Sequence, residues 1–266
     1  RRLDGVPLAI ELACARLTVL SVDELATLVD SRVLSLGGGS RGIAPRHRSL
    51  QAAIAWSHEL CTDVERTLWG RLSVFVDGFD LATIRAVCLT STEQGADITE
   101  ADLTDALTGL VAKSVILRET VDGRVRFRLL ESIREYGAST LSPAQRQESQ
   151  SRLLDWALAE IAGAATQWYG PGQLDAAEEV RRNRGNIRAA MHVAFSEPAL
   201  RGRAEDVATA LGGAPFLWAC GIAIREHRMW LGQVLDMPGV GPVSLGRLLA
   251  VLGLVATLQG DQEAAR

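Results

Sequence analysis

Lysine is almost missing from this chain. Of its 28 basic residues only Lys113 is a lysine, and the rest are arginine. A phosphate loop of the G-x-x-x-x-G-K-[ST] type needs that ammonium beside a ring of backbone amides. The one Lys-Ser pair, Lys113-Ser114, follows Ala112 rather than glycine. The chain therefore has no such loop, and no second lysine for Schiff-base chemistry. Asparagine is equally scarce, with only Asn183 and Asn186, and the Arg- and Ala-rich remainder points to a GC-rich bacterial genome. The four cysteines, Cys14, Cys61, Cys88 and Cys220, lie far apart with no C-x-x-C, and read as buried thiols of a reducing cytoplasm. His47, His58, His192 and His227 show no metal-ligand spacing, so no metal site is expected. No carboxylate pair stands apart from the helix-surface acids, and no catalytic residue is assigned.

What is present is ordinary globular material. The 266 residues suggest about two domains at roughly 150 residues each. A net charge of −4 excludes a strongly basic nucleic-acid coat but leaves a local basic patch open. The chain opens Arg1-Arg2-Leu3-Asp4 without Met or an apolar leader, and reads as an excerpt of a longer protein. Val207 to Ile224 carries no charge, but Gly212, Gly213 and Pro215 interrupt it. Two short buried helices are expected there rather than a membrane span.

Helical spacing runs from Leu8 to Leu20, and Ser21 with Glu24 forms a capping box for the next helix. The run Gly37-Gly38-Gly39-Ser40-Arg41-Gly42 satisfies G-x-G-x-x-G literally. It lacks the preceding strand and following helix that dinucleotide binding needs, so it reads as a flexible loop. Helices are expected over 49–60, from the Thr62–Glu65 capping box to Leu72, over 81–88, and from Thr99 to Ala112. The period then changes to two. Residues 114–119 and 124–129 alternate around Asp122-Gly123, which predicts a hairpin with Val125, Phe127 and Leu129 on one side and Arg124, Arg126 and Arg128 on the other. Helix returns over 130–139 and again from Pro143.

Helices, a two-stranded hairpin and a further helix describe a winged-helix domain. Its hairpin arginines Arg124, Arg126 and Arg128 either form a solvated face or contact a partner or phosphate. The helix before the hairpin, which a DNA reader would place in the major groove, carries Glu100, Asp102 and Asp105 and no cation before Lys113. Acids facing phosphates oppose docking. Further on, Arg181, Arg182, Arg184 and Arg188 follow Glu178 and Glu179 and read as a solvated helix with paired charges.

Several segments carry a family resemblance. Gly5-Val6-Pro7-Leu8-Ala9 resembles the G-L-P-L-A segment of NB-ARC, or STAND-class, signalling ATPases. Residues 45–57, Leu72-Ser73-Val74-Phe75 and the run from Phe127 to Tyr136 look like the winged-helix domain that follows it. The wording is most similar to AfsR-like and large LuxR-type bacterial transcriptional regulators. The resemblance implies that Gly5, Pro7 and Leu8 bind nucleotide in the full-length parent, with Pro7 against the adenine. It places the Met-His-Asp motif of plant and animal relatives on Leu129-Leu130-Glu131, so Leu130 and Glu131 are the candidate sensor position. Leu252-Gly253, Ala256, Gly260 and Ala265 follow a tetratricopeptide-like (TPR-like) pattern, with Gly221, Trp230 and Pro238 upstream.

The expected fold is mainly α. Residues 1–44 would end an NB-ARC helical subdomain, 45–141 form the winged helix, 142–200 a helical linker, and 201–266 truncated TPR-like repeats. The expected function is that of a cytoplasmic regulatory fragment and not an enzyme. It would couple the nucleotide state of an intramolecular NB-ARC domain, and a protein or small-molecule inducer at the repeats, to an effector domain elsewhere. ATP or ADP with Mg would be bound by the full-length parent and no cofactor by the fragment. DNA would be met through a separate domain, and no membrane is involved. The rival readings are a direct DNA-binding winged helix and a helical interaction scaffold.

Overall fold

The computed structural model describes residues 45–89 and 98–265, with positions 10, 14, 17, 21–24 and 26–27 before them. The chain is mainly helical and divides into two compact units. The first comprises residues 1–73 and 79–142, and the second Val74–Gly78 with Pro143–Arg266.

In the first unit, α1 (Pro45–Glu59) is followed by α2 (Asp63–Leu72), α3 (Leu81–Cys88) and α4 (Glu100–Ala112). The starts of α2, α3 and α4 are each set by a side-chain cap. Thr62 and Glu65 close a reciprocal capping box on α2, Asp80 caps α3 through the Thr83 amide, and Thr99 and Asp102 repeat the box on α4. The same box occurs at Ser21, whose hydroxyl accepts from the Glu24 amide at 3.3 Å. Strands β1 (Leu117–Val121) and β2 (Arg124–Arg128) pair antiparallel, with Arg118 opposite Phe127. Asp122 and Gly123 take φ of 51° and 75°, the double positive φ that a two-residue hairpin turn requires. On its other edge β2 exchanges two backbone hydrogen bonds between Phe127 and Phe79, at 2.7 and 2.9 Å.

Helix α5 (Glu131–Thr140) completes this unit and packs closely on α2. The close approach depends on Gly137, because a Cβ there would stand 2.6 Å from the Trp69 ring. Trp69 is buried, and its indole N–H donates to the Ile133 carbonyl at 3.0 Å. Ile54, Leu68, Leu72, Phe79, Ile84, Leu103, Leu110 and Ile116 fill the rest of the core.

The second unit is built from α6 (Pro143–Gln167), α7 (Gln173–Ser196), α8 (Ala204–Gly212), α9 (Ile224–Leu235) and α10 (Pro242–Leu258), with 3-10 turns at Pro198–Arg203 and Leu217–Cys220. From Pro143 to Ser196 the chain is thus two long helices packed within this unit. Helices α6, α8 and α10 contact one another in succession, and α7 and α9 form a second row. Gly221, at φ 88°, ends the second 3-10 turn in the left-handed region. The uncharged stretch from Val207 breaks after Gly212 as its glycines predict, but in place of a second buried helix it forms only the 3-10 turn Leu217–Cys220, with Trp218 43% exposed. Among the described residues no helix is long and apolar enough to cross a membrane.

Candidate functional site

Gly5, Pro7 and Leu8, the expected nucleotide contacts, lie outside the described residues. The hairpin and its neighbouring helices are described throughout, and alternation along β2 does not hold as read from the sequence. Phe127 is buried as expected, but Arg126 is only 8% exposed while Val125 is 38% exposed. A row of three solvated arginines is therefore not what the strand presents. The bridge to Phe79 gives β2 a neighbour on both edges, which sequence alternation cannot foresee. Arg124 is exposed, and Arg128 pairs with Glu119 across the hairpin. Leu129 is half-buried rather than turned into the core.

The candidate sensor position follows directly. Leu130 is the N-cap of α5 and offers no side-chain cap bond. Glu131 receives two hydrogen bonds from the Arg134 guanidinium, which also reaches the Ser73 carbonyl at 3.4 Å. The Arg134 hydrogen bond holds the Glu131 carboxyl below the usual carboxylate range and raises the Arg134 guanidinium in turn. The pair is internally neutralised, so this position presents an apolar side chain and a satisfied ion pair.

The α4 face carries acids. Glu100, Thr104, Asp105 and Thr108 are exposed, and Glu100 engages Arg85 of α3 at 2.6 Å. Lys113, at the C-terminal end of α4, turns away to Glu65 of α2 at 2.6 Å. Glu65 is 6% exposed and Lys113 21%. Gly109 makes room for this pair, since a Cβ there would fall 1.8 Å from the Glu65 Oε1 atom. Beside it, His58 meets Trp69 and Tyr136 edge-on, both with ring centroids 5.4 Å away. Burial, then the charge of Arg66, pushes the His58 imidazole down.

In the second unit both asparagines are buried on α7, and their scarcity was the one sequence signal that could have found them. The Asn186 Oδ1 accepts from the Val76 and Asp77 amides at 3.0 and 3.1 Å, and its Nδ2 donates to the Gly78 carbonyl at 3.0 Å. Asn183 donates to Glu160 and Glu179 at 3.1 and 3.2 Å. Arg181 and Arg182 pair with Glu178 and Glu179 as the spacing predicts, whereas Arg188 reaches across to Glu226 of α9 at 2.8 Å. Cys61, Cys88 and Cys220 are buried and outside any disulfide, but Cys14 is exposed, which corrects the expectation for that residue. Among the described residues no group of three His, Cys, Asp or Glu side chains converges to hold a metal.

Among the described residues the chain is mainly helical, and the ion pairs above are made between its own side chains. It is 35% identical over 236 residues to a protein of Mycobacterium bovis named "Putative HTH-type transcriptional regulator", covering 89% of this chain and 26% of that one. The same values hold for a protein of that name from Mycobacterium tuberculosis. A second Mycobacterium tuberculosis protein, named "Uncharacterized protein", is 41% identical over 143 residues, covering 53% of this chain and 35% of its own length. The chain spans about a quarter of the length of the transcriptional regulators it matches. No family model matches, and no solved structure matches.

Proposed function

We propose that this chain is the regulatory portion of an ATP-dependent transcriptional regulator of the NB-ARC/STAND class, with DNA contacted by another part of the whole protein. In this reading the first unit is a winged helix and the second a TPR-like sensor. Nucleotide exchange at a neighbouring nucleotide domain, together with a protein or small-molecule inducer, shifts them between closed and open arrangements.

The observation that carries this reading is the α4 face. In a winged helix that reads DNA, the helix before the hairpin enters the major groove. Here that helix exposes Asp105 and Glu100, the latter paired with Arg85, and Lys113 is committed to Glu65, so the helix itself presents no cation to a duplex. A helix face that carries acids and no cation of its own lacks the charges whose counterion release drives duplex binding. The relatives' name supplies the regulatory context, and in this reading ATP is bound by another part of the whole protein.

The test is a duplex titration at several salt concentrations, comparing the chain with a Glu100→Lys, Asp105→Lys variant. Wild type should bind duplex weakly, and the variant at least tenfold more tightly at low salt. A variant that binds no better would show that α4 does not approach the duplex electrostatically as argued. Tight wild-type binding at physiological salt would favour the direct DNA reader instead.

A further inference from the structure

The first unit releases the chain after Ser73 and takes it up again at Phe79, and the strap between them, Val74–Gly78, belongs to the second unit. Within that unit the strap is seated by three kinds of contact. Phe75 is 1% exposed and meets the Trp156 ring of α6 edge-on, with centroids 6.5 Å apart. The Asn186 side chain of α7 accepts from the Val76 and Asp77 amides and donates to the Gly78 carbonyl, at 3.0, 3.1 and 3.0 Å. Gly185 leaves room for Asp77, since a Cβ there would stand 2.6 Å from the Asp77 Cβ. The next residue, Phe79, is fully buried in the first unit. Its amide donates to the Phe127 carbonyl of β2 at 2.9 Å, and its carbonyl accepts from the Phe127 amide at 2.7 Å. One peptide group therefore serves both sets of bonds. The Gly78 carbonyl and the Phe79 N–H lie in the same planar amide, the first taken by Asn186 and the second by Phe127.

We propose that the Val74–Gly78 strap is a conformational coupling device: its seat on α6 and α7 and the Phe79–Phe127 bridge form and break together through the shared Gly78–Phe79 peptide. That plane does not bend between its carbonyl and its N–H, so a tilt that follows one partner withdraws it from the other. Intermediate positions are disfavoured. Lifting the strap part-way strips the buried Asn186 amide of its three backbone partners and uncovers Phe75, so the seat is held or lost as a whole. At its other end the strap follows Ser73, whose carbonyl accepts from Arg134 at 3.4 Å. The same guanidinium holds Glu131 at the candidate sensor position. A change at α5 or β2 in the first unit is thereby felt at α7 in the second, and the reverse. The purpose of this coupling rests on the regulatory reading above, in which a shift in one unit must reach the other.

Amide hydrogen exchange on the 266-residue chain tests the device, with no nucleotide or DNA present. Asn186→Asp keeps an acceptor for the Val76 and Asp77 amides and removes the donor to the Gly78 carbonyl. The Phe79 and Phe127 amides, which bond each other and not Asn186, should then exchange about fivefold faster or more, with α2 amides as the reference within the same unit. Gly185→Ala, which pushes on Asp77, should act the same way, and it decides alone if circular dichroism shows Asn186→Asp unfolded. Inserting Gly-Ser-Gly between Gly78 and Phe79 puts the two bonds on separate peptides, and Phe79 and Phe127 should then cease to respond to either substitution. Unchanged exchange at Phe79 and Phe127 in the folded variants would overturn the proposal, as would a response that survives the insertion. If the inserted chain does not fold, the comparison without it decides. No duplex enters the assay, so the regulatory reading stands or falls separately by its own titration.

Discussion

Removing the Asn186 amide should loosen the Val74–Gly78 segment from the second unit and destabilise that unit. Asn186 is fully buried, and all three of its hydrogen bonds go to backbone groups of Val76, Asp77 and Gly78. A net value near 1 kcal/mol per bond, with part of the cost of leaving donors unsatisfied, gives about 2–4 kcal/mol for Asn186→Ala. That is a large share of the 5–15 kcal/mol typical of a domain. Gly185→Ala should act on the same contact, because its Cβ would stand 2.5 Å from the Asp77 Oδ2 atom and 2.6 Å from the Asp77 Cβ. Since both changes displace one segment, the double variant should cost clearly less than their sum. Two compact units make a single unfolding free energy ill-defined. The assay is therefore native-state hydrogen exchange resolved to Val74–Gly78, α6 and α7. Exchange in Asn186→Ala that differs from wild type by less than about 0.5 kcal/mol would refute the reasoning, as would full additivity with Gly185→Ala.

Four further outcomes are expected. Gly109→Ala should destabilise the first unit although the exchange ordinarily gains about 1 kcal/mol in a helix, because the new Cβ displaces buried Glu65; a raised urea midpoint would contradict this. His227 is fully buried with neither ring nitrogen hydrogen-bonded, and burial lowers its pKa to about 4. The unfolded chain takes up that proton first as pH falls from about 6.5 to about 4, so stability should drop over this window by up to about 3 kcal/mol, a slope that His227→Leu removes. Calorimetric titration of ATP or ADP into the chain should show no micromolar binding, and in a longer protein bearing the phosphate loop Pro7→Ala should speed ADP loss. Helix α10 leaves Val243, Leu249 and Leu258 about half or more exposed, so hydrogen exchange should find it less protected than the β1–β2 hairpin at low protein concentration; equal protection would refute this.

Local chemistry made much of the fold legible. The Thr62, Thr99 and Ser21 boxes mark helix starts because the reciprocal bonds they form need only neighbours in sequence. Asp122-Gly123 marks the hairpin for the same reason. What the sequence hid depends on partners far along the chain. Arg126 becomes buried where β2 gains Phe79 as a second neighbour, and no period-two pattern encodes that bridge. Asn186 reaches a segment about 110 residues earlier. Arg203, at the end of a 3-10 turn, joins Asp155 of α6, 48 positions away, so that ion pair could not be read from either segment alone. Lys113 was visible as the lone lysine, yet its commitment to Glu65 depends on the α2–α4 packing at Gly109.

The most direct measurement for the central claim is selection of random-sequence duplex DNA on the chain at physiological salt. Regulation without direct DNA reading predicts no enriched sequence, and residual binding that disappears as salt rises. An enriched consensus bound at physiological salt, and lost on Arg124→Glu with the fold intact, would contradict the account and make the first unit a DNA reader.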